Sequence, residues 1–425
     1  MDRARRLAAA VAAALTLGSG ASFAPPIFPA AASAAASAPA VVPCPRPKVQ
    51  PPAGRPARPT PPKNDPVLRA VGGDAMATDG LVVPAGTRRP PALTATSWLV
   101  ADLDTGEVLG GCGPHVYGTP ASVQKLLLAA TMIGKLEPRR TATITQGDLD
   151  IEPGSSAVGL VKGGKYPVSA LWLGLLLNSG NEAANALARL GGGAGGLKAG
   201  IAAMNAEAKR LGAFQTHAVT ASGLDGPGQF TSAYDLALIA RVCFADPAFR
   251  RYALTRSARI PAQKKPKRSG FQIQNENDLI YAYPGVLGGK TGFTQLARHS
   301  YVGAAERGGR RLVATLLGAE SRPLRGWQQG AALLDWGFSL PRDASVGKLV
   351  DPDGSDATGT ATAAASAPPA PATPPPSPAV ARSAPEPTLP AGIAAALAVT
   401  LAAAPVAVLL TRRHRRRIRR TRLLP

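Results

Sequence analysis

Short hydrophobic runs bounded by turn residues lie near both ends of the central part of the chain. The segment SWLVADLDTGEVLGGCG, residues 97–113, predicts two strands joined by a turn at Asp104, Thr105 and Gly106. The segments GVLGGKTG, HSYVGAAERG and RRLVATLLGA, within residues 285–319, predict three more strands joined by short turns.

Longer segments with a helical hydrophobic period lie between these strands. They begin after Ser122 and continue as VSALWLGLLLN, NEAANALARL, KAGIAAMNAEAKRLG and TSAYDLALIARVCFA, within residues 168–245. A last helix, RGWQQGAALLDWGF, is predicted at residues 325–338. Strands at both ends with helices between them predict an α/β protein of the α+β type. In such a fold, helices cover a mainly antiparallel sheet, and the sheet is not doubly wound.

Proline-rich segments flank this central part on both sides. Residues 35–69 and 342–388 carry few large apolar side chains, so they cannot bury a core and are predicted to be extended linkers. Hydrophobic residues make up 45% of the chain but aromatic residues only 5%, which agrees with long alanine-rich and proline-rich stretches. One folded domain is therefore expected over residues 70–341.

Both ends of the chain carry patterns of export and membrane insertion. Residues 1–34 combine a basic start, a short apolar stretch and small residues, which is typical of a secretory signal peptide, with an uncleaved anchor as the alternative. Residues 389–410 carry no charge, and 22 residues of helix at ~1.5 Å each are long enough to cross a bilayer. We therefore expect one C-terminal transmembrane helix in a single-pass protein of the cell membrane. By the positive-inside rule, the basic tail at residues 411–425 is then cytoplasmic and the folded domain extracellular.

The formal charge of the chain is +22, but it is unevenly distributed. Eight arginines fall within residues 411–425, where contact with anionic lipid headgroups is expected. A nucleic-acid-binding tail is the alternative. No nucleic-acid-binding motif accompanies the remaining charge, so no nucleic-acid partner is expected.

The three cysteines, Cys44, Cys112 and Cys243, leave at least one thiol unpaired. Cys112 and Cys243 are candidates for a disulfide, and buried free thiols are the alternative. The cysteines and the four histidines lack the spacing of metal ligands, so no metal and no other cofactor is expected.

Ser122 and Lys125 have the spacing of a nucleophile and its base on one helix face. A serine hydroxyl needs a base within hydrogen-bond reach, and residues i and i+3 are neighbours on a helix, so a neutral Lys125 amine can take the proton. The alternative is a cap-like serine followed by a solvated lysine, because the pattern S-x-x-K also arises by chance in a chain of this length.

Two further short motifs follow along the chain. Ser179-Gly180-Asn181 comes after an apolar helix, and with Glu182 it also has the form of a helix capping box. Lys290-Thr291-Gly292 ends an apolar strand. Its ammonium and hydroxyl groups suit a carboxylate, and its glycine lets another segment approach closely, although a simple turn is the alternative.

In this order, the motifs S-x-x-K, S-x-N and K-T-G resemble those of the penicillin-interacting serine enzymes. The flanking segments PASVQK, LLLNSGNEAANALA, NAEAKRLG, SGLDGPGQFTSAYDLALIAR, NENDL and GGKTGFT are similar to the D-alanyl-D-alanine carboxypeptidases of peptidase family S11, which are low-molecular-mass penicillin-binding proteins. The resemblance extends from about residue 93 to residue 338 and implies a serine β-lactamase/transpeptidase-like fold.

The resemblance implies a hydrolase of peptidoglycan biosynthesis. Such an enzyme removes the terminal D-alanine of a stem peptide, and β-lactams acylate it as inhibitors. By this similarity Ser122 is the nucleophile, Lys125 is its base and Ser179 relays a proton to the leaving amine. The positive charge of Lys290 is expected to help keep Lys125 unprotonated.

Substrate-binding roles are implied in the same way. Asn181 holds the substrate amide, and Lys290, Thr291 and Gly292 meet the terminal carboxylate. The backbone N–H groups of Ser122 and Phe293 form the oxyanion hole. Arg325 is expected to assist the carboxylate site, with Arg322 as competitor and with solvated loop charges as the alternative for both.

The chain departs from the family pattern in two places. Many relatives have a C-terminal domain with strands and an amphipathic helix, whereas this chain continues into a linker and an expected spanning helix. Relatives also often carry a histidine where this chain has Ser222, so no role of that histidine is transferred.

Two rival functions come from different classes. A serine β-lactamase shares the three motifs, but no E-x-x-x-N segment for deacylation lies between Ser179 and Lys290. An inactive surface protein that binds cell-wall peptide is the other rival, and the presence of every motif side chain argues against it.

Overall fold

A computed structural model describes residues 41–50, 52, 54 and 56–354 of the chain. These residues belong to the first of two compact units, which extends from Met1 to Ala361. The predicted signal peptide, the transmembrane helix at 389–410 and the basic tail at 411–425 lie outside the described residues, as does most of the second linker. Within residues 41–354, no helix combines the length and the apolar character that a membrane span requires.

Most helices of the described part lie, along the chain, between two groups of strands. The strands are β1 (Leu81–Val82), β2 (Ser97–Asp102), β3 (Glu107–Cys112), β4 (Thr141–Thr143), β5 (Lys165–Pro167), β6 (Ser257–Ile260), β7 (Phe271–Gln274), β8 (Val286–Thr294), β9 (Arg298–Arg307), β10 (Arg310–Ala319) and β11 (Gly347–Lys348). The helices are α1 (Pro66–Arg69), α2 (Lys125–Met132), α3 (Val168–Leu177), α4 (Asn181–Gly191), α5 (Gly196–Arg210), α6 (Ala233–Ala245), α7 (Pro247–Ala253), α8 (Leu279–Ala282) and α9 (Gly326–Ser339).

Seven strands form one antiparallel sheet. Its order is β1-β3-β2-β10-β9-β8, with β11 paired to β3. The strands near the two ends of the domain meet at β2 and β10, where Val100 lies opposite Ala314. The strands β4 and β5 pair separately, as do β6 and β7. The predicted antiparallel sheet with helices between its two groups of strands is confirmed, and β8 lies at one edge of it.

Helices cover both faces of the sheet. Along β2, Leu99 and Ala101 belong to a core with helices α2 to α7, whereas Trp98 and Val100 belong to a second core with α9. Successive side chains of a strand point to opposite faces, so one strand supplies both cores. Trp98 contacts Trp336 of α9 edge to face, with ring centroids 5.8 Å apart. This two-sided burial explains why the strand segments are almost continuously apolar.

The cysteine pairing differs from the one that the sequence analysis considered. Cys44 and Cys112 form the disulfide, with Cα atoms 5.9 Å apart, and Cys243 is a buried free thiol. Cys112 and Cys243 belong to cores on opposite faces of the sheet, so they cannot meet. The Cys243 thiol lies on α6 and donates to the carbonyl of Leu126 at 3.2 Å.

The first part of the predicted N-terminal linker packs against the sheet. The backbone N–H of Leu81 donates to the carbonyl of Val42 at 2.7 Å, and the Arg46 guanidinium donates to the carbonyl of Ala95 at 2.5 Å. The composition of this segment predicts an extended chain, and it does lack helix and strand between residues 41 and 50. Backbone and guanidinium hydrogen bonds, together with the disulfide, hold it against the domain even though it buries few large apolar side chains.

Candidate active site

Ser122 lies in a turn of 3₁₀ helix, Ala121–Gln124, which leads directly into α2. Ala121 before it is fully buried and has a positive φ of 50°, a conformation that costs energy for a residue with a Cβ. Gly223 packs on this turn so closely that a Cβ there would lie 1.9 Å from the carbonyl oxygen of Ala121. The packing around the turn thus fixes the direction of the Ser122 side chain.

Lys125 is fully buried and reaches three oxygen atoms. Its amine lies 2.8 Å from Ser122 Oγ, 2.8 Å from Asn181 Oδ1 and 2.8 Å from the carbonyl oxygen of Ser222. The amide oxygen and the backbone carbonyl can only accept hydrogen bonds, whereas a hydroxyl can also donate. A neutral amine has two N–H groups for these two acceptors and one lone pair for the Ser122 proton. The geometry therefore suits a base.

The surroundings of Lys125 also favour the neutral amine. Burial lowers the pKa of Lys125 well below its ordinary value, and the positive charge of Lys290 lowers it further, while Glu182 acts in the opposite direction. The expected contribution of Lys290 is present, but burial contributes more. Lys290 is itself buried, and burial lowers its pKa to about 8.

Ser179 is in a strained turn and does not cap a helix. Its φ is 58°, and its hydroxyl is buried and has no hydrogen-bond partner among the described residues. Helix α4 has Gly180 at its N-cap without a side-chain hydrogen bond. The Glu182 carboxylate accepts instead from the backbone N–H groups of Gly159 and Leu160, at 2.8 and 3.3 Å. The capping-box alternative is therefore wrong, and the Ser179 hydroxyl is left for another partner.

The edge strand β8 brings Lys290, Thr291 and Gly292 to the same place. A Cβ on Gly292 would lie 2.8 Å from the backbone nitrogen of Ser122, so only glycine allows this approach. The Lys290 amine donates to the carbonyl of Thr291 at 2.8 Å. The third motif thus lies against the first, although about 165 residues separate them along the chain.

A cleft of about 550 Å³ opens over these side chains. Seven of the nine predicted site residues line it: Ser122, Ser179, Asn181, Thr291, Gly292, Phe293 and Arg325. Lys125 and Lys290 do not line it and are buried, with 0% and 2% of their surface exposed. The structure therefore brings the three motifs together around one cavity.

Arg325 lies at the rim of the cleft, at the start of α9. Its side chain is 70% exposed, and its guanidinium lies 3.6 Å from the carboxylate of Asp278. Arg322 is exposed and does not line the cleft. Of the two arginines, Arg325 is thus the one that a bound carboxylate can reach.

Three contributions to the site were not predicted from sequence. The carbonyl of Ser222 binds Lys125, Glu182 fixes the loop at Gly159, and Glu276 lines the cleft. A backbone carbonyl leaves no signal in the residue type at its position. The NENDL segment was noted as a family pattern, but its Glu276 was not assigned to the cavity.

Comparisons with known proteins agree with this arrangement. Residues 85–321 match the family model of D-alanyl-D-alanine carboxypeptidases, peptidase S11. The D-alanyl-D-alanine carboxypeptidase DacB2 of Mycobacterium tuberculosis is 44% identical over 277 residues, which cover 64% of this chain and 91% of that protein. DacD of Salmonella typhimurium is 34% identical over 62% of this chain and 68% of its own length.

Solved structures show the same fold. A crystal structure of D-alanyl-D-alanine carboxypeptidase from M. tuberculosis matches with a TM-score of 0.59 and 43% identity, covering 63% of this chain and 100% of that one. The Streptomyces K15 DD-transpeptidase matches with a TM-score of 0.56 and 27% identity, covering 60% and 100%. Motifs, site geometry and relatives all agree, and this chain belongs to the D-alanyl-D-alanine carboxypeptidases of peptidase family S11, serine enzymes that work through an acyl-enzyme.

Proposed function

We propose that this protein removes the terminal D-alanine from peptidoglycan stem peptides through an acyl-enzyme on Ser122. The observation that carries the proposal is the contact of Ser122 Oγ with a buried Lys125 amine whose two other partners can only accept hydrogen bonds. Because burial lowers its pKa, such an amine loses its proton at a lower pH than an exposed lysine does, which suits a base.

Acylation begins at the carbonyl between the two D-alanines. Ser122 gives its proton to Lys125, and Ser122 Oγ forms a bond to the carbonyl carbon. The negative oxygen that results accepts hydrogen bonds from the backbone N–H groups of Ser122 and Phe293. Support for this placement comes from Gly292, which brings β8 within contact of the Ser122 backbone nitrogen.

The C–N bond then breaks, and the leaving amine needs a proton. Ser179 relays the proton from Lys125, because it lines the cleft and its buried hydroxyl has no hydrogen-bond partner within the described part of the chain. D-Alanine leaves with this proton, and an acyl ester remains on Ser122. A water molecule attacks the ester, restores the Ser122 hydroxyl and releases the shortened peptide.

The remaining site residues orient the peptide. Asn181 uses Oδ1 to bind Lys125, which leaves its Nδ2 for a substrate amide. Thr291 and Arg325 line the cleft and bind the terminal carboxylate, and the buried charge of Lys290 attracts it. β-Lactams acylate Ser122 in the same pose and inhibit the enzyme.

We also propose that the enzyme acts at the outer surface of the cell membrane. The support is the sequence pattern of a signal peptide at residues 1–34, an apolar segment at 389–410 and the basic tail at 411–425. Right-side-out vesicles from cells that produce the full chain should lose the extracellular domain to protease added outside. The cytoplasmic tail inside the vesicles should be protected. Protection of the domain would contradict this orientation.

The test of activity is D-alanine release from a synthetic peptide that ends in two D-alanines, with the full-length chain as enzyme. Benzylpenicillin should add its mass to the wild type and to Ser257→Ala, an exposed serine of β6, and should not add to Ser122→Ala. Rapid turnover of a chromogenic cephalosporin without D-alanine release would favour the β-lactamase. If the wild type formed no benzylpenicillin adduct and released no D-alanine, the result would favour the binding protein.

A further inference from the structure

The two-stranded hairpin of β6 and β7 packs on α3 and carries an exposed basic surface. Ile260 and Ile273 are buried in the core, whereas Ser257 and Arg259 of β6 are exposed. In an antiparallel hairpin one face packs and the other meets water, because successive side chains alternate. The outer face of this hairpin therefore has no apolar side chain on β6.

The tip of the hairpin is a closed turn that contacts a second loop. Gln263 pairs with Arg268 through two backbone hydrogen bonds of 2.8 and 3.0 Å. The Gln263 side chain accepts from the backbone N–H of Lys165 at 2.6 Å. The loop before β5 thus lies against the tip. Together these two segments expose seven cations, which we call the hairpin patch: Lys162, Lys165, Arg259, Lys264, Lys265, Lys267 and Arg268.

The charges of the hairpin patch are all of one sign. Residues 247–275 contain eight lysines and arginines and no aspartate or glutamate, and residues 153–181 contain no acidic residue either. Within the described part of the chain, no cation of the patch forms an ion pair, whereas Arg69, Arg189 and Arg241 each do. Surfaces of soluble domains usually mix both signs. An unpaired field of one sign therefore suits an external polyanion.

The hairpin patch lies close to the catalytic cleft. Strand β7 ends at Gln274, and Glu276, two residues later, lines the cleft. The backbone N–H of Glu276 donates to the carbonyl of Leu177 on α3 at 3.0 Å, which ties this end of the hairpin to the domain. At ~3.3 Å a residue, the chain from Arg268 to Glu276 spans no more than about 26 Å. A surface that binds the patch is thus within that distance of the cleft.

The expected membrane tether does not by itself fix the height of the domain above the bilayer. Residues 355–388 of the proline-rich linker separate the described domain from the expected spanning segment. An extended chain of this composition covers ~3.1 Å per residue, so this linker can reach about 100 Å. It keeps the domain at a high local concentration near the membrane but permits many heights.

We propose that the hairpin patch docks on anionic phospholipid headgroups of this membrane and holds the catalytic cleft near the bilayer surface. The lysines and arginines pair with headgroup phosphates, and their attraction to an anionic surface adds up over the patch. The inference goes beyond the proposed catalytic activity. It uses only the proposed location of the domain beside the membrane.

The test measures how close the hairpin tip is to the bilayer when the full-length chain is inserted into nanodiscs. Ser269→Cys places a fluorescent dye beside the patch, because Ser269 is exposed. The dye is specific, since Cys44 and Cys112 form a disulfide and Cys243 is buried. Energy transfer to acceptor-labelled lipid should be low in phosphatidylcholine nanodiscs and should rise when phosphatidylglycerol is included. The rise should reverse as salt is added, because exposed charges are screened.

The patch variant Lys264→Gln/Lys265→Gln/Lys267→Gln/Arg268→Gln, in the same labelled background, tests which charges are responsible. In phosphatidylglycerol nanodiscs, its ratio of docked to undocked domains should be at least about tenfold lower than that of the wild type, since each lysine or arginine near an anionic surface contributes attraction. Its D-alanine release from a soluble peptide should be unchanged, because these residues do not line the cleft.

The matched control is Arg88→Gln/Arg89→Gln/Lys198→Gln/Lys209→Gln. It removes four exposed cations that lie outside the hairpin patch, so the total charge changes by the same amount. This control should dock as the wild type does. Both variants should form the benzylpenicillin adduct at the wild-type rate, which would show that the fold is intact.

Energy transfer that does not respond to phosphatidylglycerol would overturn the inference, as would an equal response in the patch variant. If lipid gave no response but soluble poly(glycerol phosphate) raised the anisotropy of the dye, the partner would be a phosphodiester polymer and not the membrane. Failure of the chain to insert into neutral nanodiscs would refute the expected spanning segment. The inference would then be decided by cosedimentation with phosphatidylglycerol vesicles, which the wild type should show and the patch variant should lose. None of these outcomes depends on D-alanine release, so a failure of the proposed catalytic function is distinguished from them.

Discussion

Gly292 on β8 lies so close to Ser122 that a Cβ on the glycine would be 2.8 Å from the Ser122 backbone nitrogen and 2.4 Å from Ser300 Oγ. Two parts of the chain that are distant in sequence therefore define one edge of the proposed oxyanion hole together. The Ser300 hydroxyl donates to the carbonyl of Pro120, just before the nucleophile turn, at 2.6 Å. A change at Gly292 must move this contact.

Gly292→Ala is expected to slow acylation by benzylpenicillin by about a hundredfold, because the methyl group pushes β8 away from an oxyanion donor. Stopped-flow measurement of the acylation rate checks this. Gly134→Ala is a suitable control, because a Cβ there meets no atom within 4 Å. Wild-type acylation by Gly292→Ala would show that the strand can shift without cost to the reaction.

Ser179→Ala should separate activity from stability. Its hydroxyl is buried and forms no hydrogen bond with any residue that the structure describes, so removing it should leave the free energy of unfolding unchanged or slightly higher. The same change should lower kcat for D-alanine release by about 10²- to 10⁴-fold, the usual effect of losing a proton-transfer group. Thermal unfolding and a D-alanine assay together test both parts.

Ser232→Ala provides the opposite pattern as a control. The Ser232 hydroxyl caps α6 by accepting from the backbone N–H of Asp235, so its loss should cost about 1 kcal/mol of stability. Catalysis should be retained. If Ser179→Ala behaved like Ser232→Ala, the role of Ser179 would be structural.

The pH dependence of acylation follows from the two buried lysines. The base must be unprotonated, so the rate should rise as Lys125 loses its proton and should level off well below pH 10.5. The carboxylate site needs a charged Lys290, whose pKa is about 8, so kcat/KM should fall above about pH 8. A pH profile of kcat/KM for a synthetic peptide that ends in two D-alanines measures both the acid and the alkaline limb.

Lys290→His tests the assignment of the alkaline limb. Histidine loses its charge near pH 6.5, so this variant should lose activity at a pH more than one unit lower than the wild type. An alkaline limb that stays in place would mean that another group controls it.

The Cys44–Cys112 disulfide should stabilise the domain without taking part in catalysis. It joins positions 68 residues apart, so its removal should lower the free energy of unfolding by about 2–4 kcal/mol. Reductant should therefore lower the Tm of the wild type and leave that of Cys44→Ala unchanged, while β-lactam acylation below the Tm persists. Equal melting of the wild type with and without reductant would contradict this.

The strands, the helices and the family could be predicted from the sequence, because each depends on a local pattern of residues. The hydrophobic runs at β8, β9 and β10 and the three motifs are visible without any knowledge of distant contacts. The Cys44–Cys112 pairing was not accessible in this way, because it depends on which face of the sheet each cysteine occupies. The same limit applies to the alternative that Ser179 caps α4.

The contributions of backbone groups to the site could not be predicted from the sequence either. The Ser222 carbonyl binds Lys125, yet any residue at that position supplies a carbonyl. The depth of burial of Lys290 also depends on how the completed sheet packs, and burial is the main cause of its lowered pKa. Residue type therefore indicated which chemistry to expect, whereas packing determines the protonation states.

The burial of β2 on both faces affects how the sheet selects its pairing. A shift of one residue would exchange Trp98 with Leu99 between the two cores, and both positions would still be apolar. At these two positions polarity therefore does not penalise such a slip, as it would in a sheet with one face exposed to water. The shape of the side chains must penalise the slip, since the indole of Trp98 fits against Trp336 and a leucine would leave a void there. The size of the Trp98 side chain thus selects the correct register of β2. Trp98→Leu should therefore produce mispaired species during refolding.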